Sequence, residues 1–327
     1  MPHYPFNIYL LALVSGAISS ALTLPLWRAW CRRIGLVDDP GHRKIHNTPI
    51  PLAGGLAVLT GMMIPLLCGA AAIAFNLLDF HNAGPALNHG LERRGAELSA
   101  IMVGAFGMVA IGWLDDLREL RPAWKFSGQF LIALLVAASG ARITLFVHSV
   151  IFSYAVTILW ILTLVNACNF MDNMNGLCAG LGVVGAWFFG VIAAVDGQYL
   201  VTSLALLACG ALLGFLPFNF PRATAFLGDA GSHLVGYLLA VLAILPHFYT
   251  SANPSRFAVL APLFILAVPL GDLVRVVILR WRLGKPFYLG DNNHLSHWLV
   301  RRGMTPTRAV LVIWLLAVLA AVPALLL

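Results

Sequence analysis

The chain has 327 residues, 60% of them hydrophobic and only 10% charged. A soluble domain carries about 25% charged residues, so a soluble globular protein is excluded and residues 1–327 read as one polytopic membrane domain. The formal charge of +7 comes with no basic tail and no nucleic-acid motif, which excludes nucleic acid and leaves anionic lipid or an anionic substrate as partner.

A membrane-spanning helix needs about 20 mostly apolar residues. In chain order such stretches fall at roughly 7–27, 52–75, 98–114, 124–140, 153–169, 177–195, 199–217, 230–248, 257–279 and 307–327. The expected fold class is therefore all-α, with ten or eleven transmembrane helices. The first stretch has no basic segment before it and no small-residue cleavage site, so it reads as a retained helix. Five cysteines without a C-x-x-C pair suggest neither a disulfide framework nor a thiolate zinc site.

Ten crossings sort the loops into two sets. One set, 28–51, 115–125, 166–177, 218–229 and 280–306 with the adjacent Arg275 and Arg308, carries 16 of the 20 Lys and Arg. The positive-inside rule places that set in the cytoplasm, with both termini outside a plasma membrane. Every conspicuous polar cluster lies on the same side: HRKIHNTPIPLAGG (42–55), DDLREL (115–120), NACNFMDNMNGL (166–177), FNFPRATAFLGDAGS (218–232) and GDNNHLSH (290–297). Scattered structural polar groups would not be one-sided; a single cytoplasm-facing groove would be.

Each cluster alone has a plain reading beside a chemical one. Asp115 and Asp116 point about 100° apart on a helix, so one can meet substrate while the other pairs with Arg118 or Lys125, or both can be a polar helix end. Asp229, set between glycines, is either an N-cap for helix 230–248 or a carboxylate sharing Mg²⁺ with phosphate oxygens. His294 and His297 share a helical face and suit phosphate contact or proton transfer, or are surface histidines. Arg43, Lys44 and His46 can clamp phosphates or serve as a membrane-side anchor. Together the clusters supply what Mg²⁺-dependent phosphoryl transfer uses, positioning and charge neutralisation.

In order, P-x-x-R-K-I-H-x-x-P-x-P-x-x-G-G (40–55), D-D-L-x-x-L-x-P-x-x-K-F-x-x-Q (115–129), N-x-x-N-F-x-D (166–172), F-L-G-D-x-G-S (226–232) and G-K-P-F with D-x-x-H-x-x-H (284–297) resemble the polyprenyl-phosphate N-acetylhexosamine-1-phosphate transferases, of glycosyltransferase family 4 type. These include the WecA and TagO enzymes and, more distantly, MraY. The resemblance implies transfer of a sugar 1-phosphate, GlcNAc-1-phosphate first among candidates, from a UDP-N-acetylhexosamine to polyprenyl phosphate, with UMP released. It implies Mg²⁺, with Mn²⁺ able to replace it, and a second copy of the chain as a candidate partner.

Residue by residue, the resemblance implies that Asp115 meets the acceptor phosphate as base or orienter, with Asp116 its partner near the metal. Asp229 is the main Mg²⁺ ligand, assisted by Asn169 or Asp172. Phe226 and Asn219 contact uracil, and Asn175 the nucleoside. His294 and His297 bind diphosphate, while Arg43, Lys44, His46 and Lys125 lie on the substrate side. Two places depart from the family pattern: D-N-M-N-G at 172–176 replaces the usual D-G-x-D-G, and Ser296 stands where a histidine is often found. The triple-histidine run of the MraY branch is absent, which argues against a MurNAc-pentapeptide donor. The rivals from other classes are a secondary transporter, disfavoured by carboxylates at one face and no repeat, and an inactive scaffold, disfavoured by the retained aspartates and histidines.

Overall fold

A computed structural model of the chain describes residues 6–39, 48–75, 84–249, 255–286 and 293–327. The elements run α1 (Phe6–Arg33), β1 (Val37–Asp38), β2 (Ile50–Pro51), α2 (Gly54–Ala74), α3 (Gly84–Arg118), α4 (Pro122–Ser139), α5 (Val150–Met171), α6 (Leu177–Val195), α7 (Tyr199–Asn219), α8 (Gly228–Leu242), α9 (Ala261–Ile265), α10 (Ala267–Arg282), α11 (Leu295–Arg301) and α12 (Pro306–Ala321). The fold is helical as expected. Among the described residues the one strand pair is a two-residue antiparallel ladder, Val37 opposite Pro51 and Asp38 opposite Ile50, which brings the two sides of the α1–α2 connection together.

Among the described residues seven helices are long and apolar enough to cross a membrane, α1, α2, the Arg94–Arg118 part of α3, α5, α6, α7 and α12 with its short 3-10 extension. A bent pair, α9 with α10, makes an eighth. The expected ten therefore reduces to seven or eight on length and apolarity. The remaining two stretches are helices in the expected places. α4 spends part of its 18 residues on Lys125, Ser127 and Gln129. α8 has 15 residues, about 22 Å at 1.5 Å per residue, against about 30 Å of hydrocarbon.

The stretch read as one span at 257–279 is broken. The axes of its two parts meet at 71°, and Leu266 between them has φ −103° and ψ 18°. Pro269 accounts for this: it has no N–H for the carbonyl of Ile265, and its ring crowds that carbonyl. Loops are also shorter than expected. α3 runs on to Arg118 and carries Asp115 and Asp116 in its last turns; the segment linking it to α4 is only 119–121. Likewise 172–176 link α5 to α6, and 220–227 link α7 to α8.

α8 is the centre of the bundle, packed against α3, α5, α2 and α6. Every residue of it except Asp229 is buried. Around it α4 lies between α3 and α5, α1 covers α2 and α7, and α12 packs on α6. A helix surrounded by protein needs no match to bilayer thickness, so α8 can be short. Its N-terminus then has to find partners inside the protein, and the candidate site is built there.

Candidate active site

Four helix ends converge at the start of α8: the C-termini of α3 and α5, the N-terminus of α4, and α8 itself. The approach of α3 rests on Gly112, where a Cβ would lie 2.4 Å from the backbone of Asp229 and Ala230. One turn further along α3, Asp116 reaches the free N–H groups of α8. Its Oδ1 accepts from the Asp229 N–H at 2.9 Å and its Oδ2 from Ala230 N–H at 3.2 Å. The α8 backbone turns in at Gly228, φ 72°, a left-handed conformation suited to glycine, and a side chain there would meet Asp116.

This settles the local alternatives. Asp229 is not the N-cap of α8, because the helix begins at Gly228 with Asp229 in its first turn; Asp116 does the capping, from another helix. Of the adjacent aspartates, Asp115 is the one paired with Lys125. Its Oδ2 accepts from Nζ at 2.6 Å, while Oδ1 accepts from the Leu120 N–H at 2.7 Å and closes the end of α3.

Lys125 Nζ also donates to Asp229 Oδ2 at 2.5 Å, across 104 residues of chain, so one ammonium bridges the carboxylates of α3 and α8. The other oxygen of Asp229 accepts from Asn169 Nδ2 at 2.8 Å, and the same amide reaches Ser232 Oγ at 3.0 Å. One turn below, Asn166 Nδ2 donates to Gln129 Oε1 at 2.9 Å and to its own helix at Leu162 O. Asp172 follows α5 as its C-cap. Burial, then the charges of Asp229 and Asp116, push its carboxyl well above the ordinary range. Among the described residues no side chain donates to it.

Among the described residues, no three or more of His, Cys, Asp and Glu are grouped closely enough to hold a metal on their own. That excludes a closed protein cage there, but not Mg²⁺, which takes one or two carboxylates and completes its shell with water and phosphate oxygens. Asp229 and Asp172 both offer carboxylate oxygens, the donor chemistry such a shared ion takes.

A second group lies on the other side of the α5 terminus. His294 is 4% exposed and its Nδ1 lies 2.6 Å from Asp272 Oδ2, while Asp272 Oδ1 accepts from Leu295 N–H at 2.6 Å. The His294 ring meets Phe170 edge-on at 5.8 Å between centroids, and the Arg280 guanidinium lies over the Phe170 ring, 4.8 Å from its centroid. His297 is 6.4 Å from His294, ring to ring. Asp272 is absent from the expected site residues because 257–279 read as a plain span. The available signal was an ionisable residue inside an apolar run, itself a mark of function in a membrane segment.

The third group shapes the wall beside Asp172. Asn219 is buried, its Oδ1 accepting from Gly176 N–H at 2.7 Å and its Nδ2 donating to Ala225 O at 3.0 Å. Asn175 Nδ2 donates to Pro221 O at 3.3 Å. Phe226 is half-buried, with its backbone bonded to Pro51 and Gly54. Arg43, Lys44 and His46 lie outside the described residues. Of the residues expected at the site, the structure thus joins Asp115, Asp116, Lys125, Asn169 and Asp229 directly. Asp172 follows at the C-terminus of α5, three residues beyond Asn169.

Comparison with known proteins adds an independent line. The model of glycosyl transferase family 4 matches residues 98–247. A probable undecaprenyl-phosphate N-acetylglucosaminyl 1-phosphate transferase of Bacillus subtilis is 32% identical over 97% of this chain and 84% of its own length. A decaprenyl-phosphate N-acetylglucosaminephosphotransferase of Mycobacterium tuberculosis is 32% identical over 94% of this chain and 80% of its own. An Escherichia coli undecaprenyl-phosphate alpha-N-acetylglucosaminyl 1-phosphate transferase is 28% identical over 94% and 81%.

Proposed function

The chain belongs to glycosyl transferase family 4, among the polyprenyl-phosphate N-acetylglucosamine-1-phosphate transferases, and from that membership we propose how it works. It transfers N-acetylglucosamine 1-phosphate from UDP-N-acetylglucosamine to a polyprenyl phosphate. An acceptor phosphate oxygen attacks the phosphorus that bears the sugar, and the bond from that phosphorus to the UMP oxygen breaks. UMP leaves, and a polyprenyl-diphospho-sugar remains in the membrane as the first lipid-linked intermediate of an envelope glycan.

The observation that carries this reading is the Asp115–Lys125–Asp229–Asn169 chain of contacts at four helix ends. It supplies fixed charges of both signs at one end of the bundle, where a water-soluble polyanion and a lipid phosphate can both arrive. Lys125 is the cation that meets phosphate, and Asp115 orients the acceptor or takes its proton. Asp229 and Asp172 would hold Mg²⁺, which when bound would neutralise the charge spread over the phosphate oxygens. His294, held by Asp272, and His297 face the donor diphosphate, and Asn175 and Phe226 the nucleoside. The site faces the cytoplasm of the plasma membrane, supported by the concentration of Lys and Arg in the same set of loops.

The test is UMP release from detergent-purified protein given UDP-GlcNAc, UDP-GalNAc or UDP-MurNAc-pentapeptide with polyprenyl phosphate and Mg²⁺. Release with UDP-GlcNAc above the others is expected. No release with any of the donors would reject the reading.

A further inference from the structure

The two places where the sequence leaves its family's pattern touch each other. Ser296 Oγ donates to Asn173 Oδ1 at 2.6 Å, across 123 residues of chain. The same asparagine donates through Nδ2 to Phe170 O at 2.7 Å, so its amide is fixed at both ends. Ser296 is 0% exposed and its hydroxyl is spent on Asn173. It therefore presents nothing to a ligand, although it stands between the two histidines assigned above to the donor diphosphate.

The start of α11 is held from two directions. Asp272 ties His294 and Leu295 to α10, and Asn173 ties Ser296 to the end of α5, one residue beyond Asp172. α5 carries Asn169 and is capped by Asp172. We propose that the Asn173–Ser296 pair is a positioning latch, which fixes how far His294 and His297 reach over the donor's diphosphate relative to Asp172. The middle position of the histidine segment does not read the donor; it sets the spacing of its neighbours. This inference rests on the transferase reading above.

The experiment measures donor and acceptor kinetics by UMP release, with thermal unfolding in detergent, for wild type, N173A, S296A and N173A/S296A. A neutral hydrogen bond is worth about a three- to tenfold effect. Each alanine variant is expected to raise the KM for UDP-GlcNAc about that much, with the KM for polyprenyl phosphate and the unfolding temperature little changed. The double variant should be no worse than the poorer single, because both remove one bond. A second pair tests the spatial pairing: S296H must force an imidazole into a fully buried place and should lose more, and N173G/S296H should recover part of that loss by vacating the space. Unchanged donor KM in both alanine variants, additive losses, losses confined to the acceptor, or no recovery in N173G/S296H would each overturn the latch. Absence of UMP from wild type would overturn the transferase reading and the latch with it, a result distinguishable because no variant is needed to see it.

Discussion

Neighbouring residues on a helix diverge by about 100°, and Asp115 and Asp116 use the divergence to face different partners. Asp115 holds Lys125 against Asp229, whereas Asp116 is spent on two backbone N–H groups. D115N should therefore cost at least about a hundredfold in kcat/KM with only a small fall in unfolding temperature. D116A strands two buried donors at about 1–3 kcal/mol, so it should lower the unfolding temperature by several degrees and turnover with it; D116N, keeping one acceptor oxygen, should fall between. D229N removes the charge that Lys125 and Asn169 both address, and its UMP release should drop at least about a hundredfold. Activity within a few-fold of wild type for D115N or D229N would refute the assigned roles. That the two aspartates would differ was legible from helix geometry. Which one would meet Lys125, and that the other would cap α8, was not, because both depend on how closely α3 and α8 approach.

That approach belongs to the element scale. α3 and α8 meet at Gly112, and no side chain fits there without moving the α8 start. Overpacking a tight contact costs typically 1–3 kcal/mol, and here the displaced backbone is that of Asp229. G112V should accordingly lower both the unfolding temperature and UMP release, with Asp229 and Lys125 unmutated; a stable, fully active G112V would mean the contact has no bearing on the site. The apolar runs made most helices legible, since hydropathy and length are local properties. The break at Leu266 was missed because Pro269 weighs little in a hydropathy window while removing a specific backbone bond. Its consequence for the site is Asp272: the bent helix brings a carboxylate that looked like part of a span into contact with His294.

At the scale of the whole molecule, the Asp115–Lys125–Asp229–Asn169 contacts and the Asn219 group lie where consecutive helices turn back: the ends of α3, α5 and α7, and the starts of α4, α6 and α8. The chain order of the motifs was enough to place them on one side, since each crossing reverses direction. The contacts among them depend on packing and had to be seen. The sidedness gives a prediction that needs no substrate. With Cys68, the exposed native cysteine, replaced by serine, a cysteine at His148 in the α4–α5 segment should react with a membrane-impermeant thiol reagent on intact cells. A cysteine at Arg222, exposed in the α7–α8 segment, should react only after permeabilisation. The positive charge that led to this orientation also fits the proposed chemistry, in which the loops rich in Lys and Arg would meet a polyanionic donor and a lipid phosphate. Labelling of Arg222→Cys from outside would place the site on the wrong face for a nucleotide donor made in the cytoplasm, even if UMP release in detergent were normal.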